Sequence, residues 1–148
     1  MTTGTVTLHR VLRCTPERLY RAFTTPLALA KWLPPGGFCG QVHDFDLRVG
    51  GAYRMSFTQL DTGFTHSWGG RYLDLQPNRR LVYTATFDDP QLPGEMQTTV
   101  ELRAVSCGTE LQVVQSGIPA AIPTEMCVLG WQESLLNLAL LVEGPPAP

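Results

Sequence analysis

A chain of 148 residues, 43% hydrophobic and 16% charged, has the length and balance of one globular domain, 1–148, able to bury roughly 70% of its unfolded surface. The formal net charge is −2 and the cations form neither a run nor a stripe, which speaks against nucleic acid as a partner. No uncharged apolar run reaches ~18 residues and the first residues lack the apolar segment of a signal peptide, so neither a membrane span nor secretion is expected.

In chain order, residues 5–13 alternate as a first strand, with Val6, Leu8 and either Val11 or Leu12 inward. Thr15-Pro16-Glu17 is a cap followed by proline at the first helical position, and Leu19, Tyr20, Ala22 and Phe23 give a short helix. Thr25-Pro26 breaks it and opens a second one over 27–33, which Pro34-Pro35-Gly36-Gly37 ends. A strand is predicted over 41–47, with His43, Phe45 and Leu47 on one side, then a turn at Val49-Gly50-Gly51. Tyr53, Met55 and Phe57 alternate with Arg54, Ser56 and Thr58 in a third strand. After Asp61-Thr62-Gly63, a fourth strand over 64–75 is predicted to bulge at Gly69-Gly70, where alternation slips. Residues 80–87 form a fifth strand and 88–94 a loop. Residues 96–105 and 109–117 form a last hairpin.

Residues 124–143 are the one long helical stretch. Val128, Trp131, Leu135, Leu138 and Val142 make a stripe at spacings of three and four, with Gln132, Glu133 and Asn137 off it. Glu133 is expected to be solvated. Thr124 is the predicted cap, and Gly144-Pro145-Pro146 the stop, leaving a loose tail at 144–148. Leu129, Leu136, Leu140 and Leu141 make the helix apolar on more than one side, which suggests that a concave sheet holds it. Gly130 costs about 1 kcal/mol there against alanine, so either another backbone passes close by or space is left empty beside Trp131. The whole reads as an α+β fold with a core at about 5–143: one strand, two short helices, then a curved antiparallel sheet of six to seven strands in total wrapped around the long C-terminal helix.

Several stretches resemble one family in order. They are PERLYRAFT at 16–24, Pro26-Leu27 ahead of Lys31-Trp32, DLRVGGAYR at 46–54, GRYLDL at 70–75 with Pro77, RLVYT at 80–84, and Gly130-Trp131 with Leu135 and Leu138. Together they are similar to the activator of heat-shock protein ATPase homologues (AHSA-like) in the SRPBCC superfamily, which has the helix-grip, START or Bet v-like fold. The resemblance implies a cavity between the long helix and the sheet. Superfamily members bind lipids, hormones or polyketides, and some catalyse aromatisation or dehydration. The family's namesake holds its chaperone through an additional N-terminal domain, to which nothing in this chain corresponds.

Within that frame, Trp131 and Leu135 on the helix, Tyr53, Phe57, Tyr83 and Met96 on inward strand faces, and Trp32 and Trp68 are the candidate ligand-lining residues. Each also has an ordinary reading as core packing. His66 shares a strand face with Trp68 and is a weak candidate for a catalytic acid or base; a hydrogen-bonded strand histidine is the plainer reading. Arg54, with Arg48, could contact an anion at a pocket mouth or simply pair with a surface carboxylate. His43 with Asp44 and Asp46 invites a metal, but strand alternation would place the histidine opposite both aspartates. Cys14, Cys39, Cys107 and Cys127 have no metal-type spacing and are expected as reduced, mostly buried thiols of a cytoplasmic protein. No metal or cofactor is expected. The leading reading is a protein that binds a small apolar molecule rather than an enzyme. A cyclase-, aromatase- or hydrolase-like enzyme using the same cavity and a co-chaperone-like interaction module are the alternatives. Low charge, several apolar strand positions and superfamily habit suggest a homodimer.

Overall fold

The computed structural model describes residues 3–144. In chain order the elements are β1 (Gly4–Leu12), α1 (Pro16–Thr24), α2 (Pro26–Trp32), β2 (Phe38–Phe45), β3 (Ala52–Gln59), β4 (Thr65–Gln76), β5 (Arg80–Phe87), β6 (Met96–Val105), β7 (Gly108–Ile118) and α3 (Thr124–Val142). The strands form one antiparallel sheet in the order β1-β7-β6-β5-β4-β3-β2. Strands β2 to β7 are a meander, because each is joined to the next by a short turn. β1 adds to the far side of β7, so α1 and α2 must carry the chain from one sheet edge to the other. α2 packs on β2 and α3 on β1, which spans the helices across the concave face. The helix-grip arrangement expected from the sequence is the observed fold.

Local chemistry explains most boundaries. The Thr15 hydroxyl accepts from the Arg18 amide at 3.2 Å, capping α1 as predicted. Within β1 it is Leu12 that is buried, while Val11 is 47% exposed. β2 runs from Phe38 to Phe45 rather than over 41–47. Its first residues pair with the end of β3, and Leu47 falls in the following loop. The bulge predicted at Gly69-Gly70 lies instead at Leu73, where the β4–β5 register shifts and Tyr72 and Leu75 both turn inward. The glycines serve close approach. A Cβ on Gly70 would collide with the Thr84 carbonyl oxygen, and the Tyr53 ring covers that spot, its hydroxyl donating to the same oxygen at 2.6 Å.

A second bulge sits at His43, between Val42 and Asp44. It corrects the alternation argument for this strand: Val42 and Phe45 both pack on the core. His43 then faces outward, with Nε2 2.8 Å from the Ser56 hydroxyl, on the face where Asp44 pairs with Arg54. Among the described residues no group of three or more His, Cys, Asp or Glu comes together.

α3 also departs from expectation. Its N-cap is Pro123, with no side-chain cap, so Thr124 is the first helical residue rather than the cap. The sheet grips one side only. Met126, Leu129, Leu136 and Leu140 are 59–74% exposed and form an apolar outer ridge, whereas Trp131, Leu135, Leu138 and Val142 are buried. Seven strands curve around the helix without closing, so among the described residues nothing covers the second apolar side. The tail predicted from 144 onward, with its Pro145-Pro146 stop, lies almost wholly outside the described residues. No cysteine is fully buried: Cys14 and Cys127 are half-buried and Cys39 and Cys107 exposed, all as free thiols. Among the described residues no helix is long and apolar enough to cross a membrane.

Candidate functional site: a cavity between the last helix and the sheet

The inward rows of the sheet differ from one end to the other. Leu81, Val100, Val113 and Leu111 are fully buried, and Leu138 of α3 packs among them with no exposed surface. One row further along, Tyr72, Tyr83, Thr98 and Gln115 are paired neighbours on β4, β5, β6 and β7. Beyond that row the helix and the sheet part, enclosing a cavity of ≈ 430 Å³. That volume falls within the usual range of small-molecule sites, ~300–1,000 Å³.

The sheet wall is aromatic. Phe57 and Trp68 meet edge to face at 4.5 Å between centroids, Trp68 and Phe87 at 6.4 Å, and Phe38 tilts against Phe57 at 6.5 Å. Such packing keeps rings rigid and presents flat apolar surface. Met96 and Ala85 complete the wall. The helix side is Cys127, Gly130, Trp131 and Ser134, one face at spacings of three and four. Nothing lies within 4 Å of where a Gly130 Cβ would stand. Of the two explanations for that glycine, empty space beside Trp131 is the observed one.

The α2–β2 loop forms the rim through Leu33 and Pro35. α3 clamps it. Ser134 Oγ donates to the Leu33 carbonyl at 2.5 Å, Asn137 Nδ2 to the Pro34 carbonyl at 3.2 Å, and the Gly36 amide donates to Glu133 Oε2 at 2.6 Å. Glu133 is exposed, but it is a loop anchor and not merely solvated. Leu92 and Ile122 close the rim from the β5–β6 and β7–α3 loops.

None of the lining side chains carries a fixed charge. Apart from His66 at the mouth and Ser134 at the rim, the polar side chains lie at the floor. Trp131 Nε1 donates to Gln115 Oε1 at 3.0 Å, and Gln115 Nε2 to the Thr98 hydroxyl at 3.4 Å. Tyr83 shows part of its ring to the cavity while protein surrounds its phenol. That burial pushes its pKa up to about 12, against a smaller lowering from its hydrogen bond with Thr98. Burial likewise raises the Cys127 thiol. Both groups therefore keep their protons through neutral pH.

Of the ten residues singled out from the sequence, Trp131, Phe57, His66, Trp68, Tyr83 and Met96 line this cavity. His66 stands exposed at the mouth, edge to face with Phe64 at 4.7 Å. The other four lie elsewhere. Trp32 is fully buried between α1 and α2, edge to face with Phe23 at 4.8 Å, its indole donating to the Ala22 carbonyl. Leu135 belongs to the packed core. Tyr53 is buried with Tyr72 and Tyr83 on the core side of the floor. Arg54 pairs with Asp88 on the outer face, and Arg48 with Asp46, so both take the ordinary surface-ion-pair reading.

Several lining residues escaped the sequence reading. Ala85 and Phe87 share the strand parity of Tyr83, and Gln115 that of Leu111 and Val113. Cys127, Gly130 and Ser134 stand four before, one before and three after Trp131, so the helical period could have found two of them. Leu33, Pro35, Leu92 and Ile122 sit in loops, where no period applies.

A curved seven-stranded sheet gripping one long helix, with a cleft between them, is the architecture of the SRPBCC superfamily. The chain belongs to the family described as Activator of Hsp90 ATPase homolog 1-like protein, whose pattern matches residues 13–143. A crystal structure of a protein from Chromobacterium violaceum is 58% identical, covers 95% of this chain and 98% of its own, and superposes with a TM-score of 0.94. One from Rhodobacter sphaeroides is 26% identical, with 95% of each chain covered and a TM-score of 0.82. The solution structure of an AHSA1-like protein from Aeromonas hydrophila shares the fold at 19% identity and a TM-score of 0.76, with 95% and 92% covered. A search of the curated proteins finds no significant match.

Proposed function

We infer that this protein binds a small, uncharged, ring-bearing molecule in the cavity between α3 and the sheet. The observation that carries this reading is a cavity of ≈ 430 Å³ walled by aromatic rings and free of fixed charge. Burying apolar ligand surface there would contribute about 25 cal/mol per Å². Phe57, Trp68, Tyr83, Met96 and Trp131 are the contacts, with His66 at the entrance. An acid–base enzyme is the weaker reading, because Tyr83 and Cys127 hold their protons and His66 stands alone at the mouth. A cytoplasmic homodimer remains part of the proposal. Light scattering at micromolar concentration should give a dimer mass, and a monomer would remove that part.

The test uses the neutral fluorescent probe 1-N-phenylnaphthylamine and the variant Gly130→Leu, whose side chain would fill the empty space. Saturable one-site binding to the wild type, lost in a folded Gly130→Leu protein, is the expected result. The bound probe should also slow alkylation of Cys127 by N-ethylmaleimide, read by peptide mass spectrometry, without affecting the exposed Cys39 and Cys107. Equal binding by the filled variant would overturn the proposal.

A further inference from the structure

The cavity floor is polar at one place only, and the chemistry of its partners fixes which way that group faces. An indole N–H can only donate, so the Gln115 atom 3.0 Å from Trp131 Nε1 is the carboxamide oxygen. The carboxamide nitrogen therefore turns to the other side, where one of its two hydrogens reaches the Thr98 hydroxyl across a long 3.4 Å contact. Thr98 is itself 1% exposed, and the cross-strand pairs Tyr83↔Thr98 and Thr98↔Gln115 hold all three side chains in one inward row. The second N–H of Gln115 has no partner among the described residues, on a side chain that lines the cavity. A ligand oxygen entering the cavity would give this N–H the partner that the protein does not supply.

We propose that Gln115 is the specificity-determining residue of this cavity. Its free N–H selects ring-bearing neutral molecules that carry one oxygen acceptor at the end inserted toward the floor, a ketone above all, over hydrocarbons of the same shape. This rests on the ligand-binding reading of the cavity given above. Trp131 acts through Gln115 as a positioning residue: its indole holds the oxygen and so aims the nitrogen. A carboxylate ligand is disfavoured, because no cation lines the cavity to compensate a buried negative charge.

The test is a matched pair, 2-acetylnaphthalene and 2-isopropylnaphthalene, which differ by one oxygen in place of one methyl group. Each is titrated in competition with 1-N-phenylnaphthylamine. The ratio of hydrocarbon Kd to ketone Kd should fall about tenfold from wild type to Gln115→Met, the worth of one neutral hydrogen bond. Gln115→Met also strips Trp131 of its acceptor. Gln115→Glu is therefore measured beside it at alkaline pH, where the ionised carboxylate keeps an oxygen for the indole and offers no donor; a fall in ratio at least as large is expected, because the added charge also repels a ketone oxygen. Thermal melts establish that both variants are folded. An unchanged ratio in a folded variant, with both compounds still bound, overturns the role of Gln115 and leaves the cavity reading standing. Failure of both compounds to bind the wild type overturns the cavity reading, and the role of Gln115 with it.

Discussion

The two ends of the space between α3 and the sheet are built from the same elements and do opposite things. At one end Leu81, Val100, Leu111, Val113 and Leu138 are fully buried against one another. At the other, rings from β2 to β5 face Trp131 and Gly130 across a cavity. Side-chain shape decides the difference. Branched aliphatic chains interdigitate to the density of an organic crystal. Flat rings held edge to face support one another within a single wall and need not reach the opposite one. The helix contributes too: leucine at 138 fills the closed end, whereas glycine at 130 supplies no side chain at the open end. The row Tyr72-Tyr83-Thr98-Gln115 is the boundary between them and carries the polar groups of the cavity floor.

The comparison is broken first where its effect is largest. Trp32→Ala removes a ring wholly enclosed between α1 and α2, outside the cavity lining, and should cost about 3–5 kcal/mol by urea unfolding, with probe affinity per folded molecule unchanged. A much smaller cost would mean that the ring is not part of the packed core. Trp131→Ala removes a ring of the same size that already faces a void on one side. We expect about half the Trp32 cost, with a clear loss of probe affinity. Equal costs for the two tryptophans, and unchanged probe binding, would erase the distinction between packed core and cavity wall.

The boundary row is sharpened by alkali. The Tyr83 pKa rises from an ordinary 10.0 to about 12 on burial, and the same cause raises Tyr53 and Tyr72. A folded pKa above the unfolded value means that the folded state holds the proton more tightly. The stability from these phenols is therefore complete below pH 10, and for Tyr83 it is lost as pH rises from 10 toward 12. Phenolate absorbance near 295 nm should develop together with unfolding. Full titration of the tyrosines in a protein still folded by circular dichroism would contradict the buried boundary. The smallest effect is a gain. Gly130→Ala places a methyl group in open space and should stabilise the protein by ~1 kcal/mol through helix propensity. A loss of stability there would show that the cavity is filled.

Much of the architecture was legible in residue order because periodicity is a local property. Alternation marked the strands, the three-and-four spacing marked α3, and Thr15-Pro16 marked the start of α1. The buried face of α3 at Trp131, Leu135, Leu138 and Val142 was also legible, since one stripe must meet one sheet. Two bulges were not. A one-residue parity change at His43 or Leu73 costs the sequence nothing visible, yet it turns Val42, Phe45 and Leu75 inward, and pairing with the neighbouring strand alone decides it. Trp32 and Tyr53 had the right composition for a cavity and the wrong place, because helix–helix packing and the backbone opening at Gly70 enclose them. The loop rim at Leu33, Pro35, Leu92 and Ile122 has no period to read, and a hydrogen bond between residues as distant as Gln115 and Trp131 leaves no mark in either segment. The sequence determined which faces would be apolar. The tertiary structure decided where two such faces touch and where they stand apart, because contact depends on how far the sheet curves before the helix meets it.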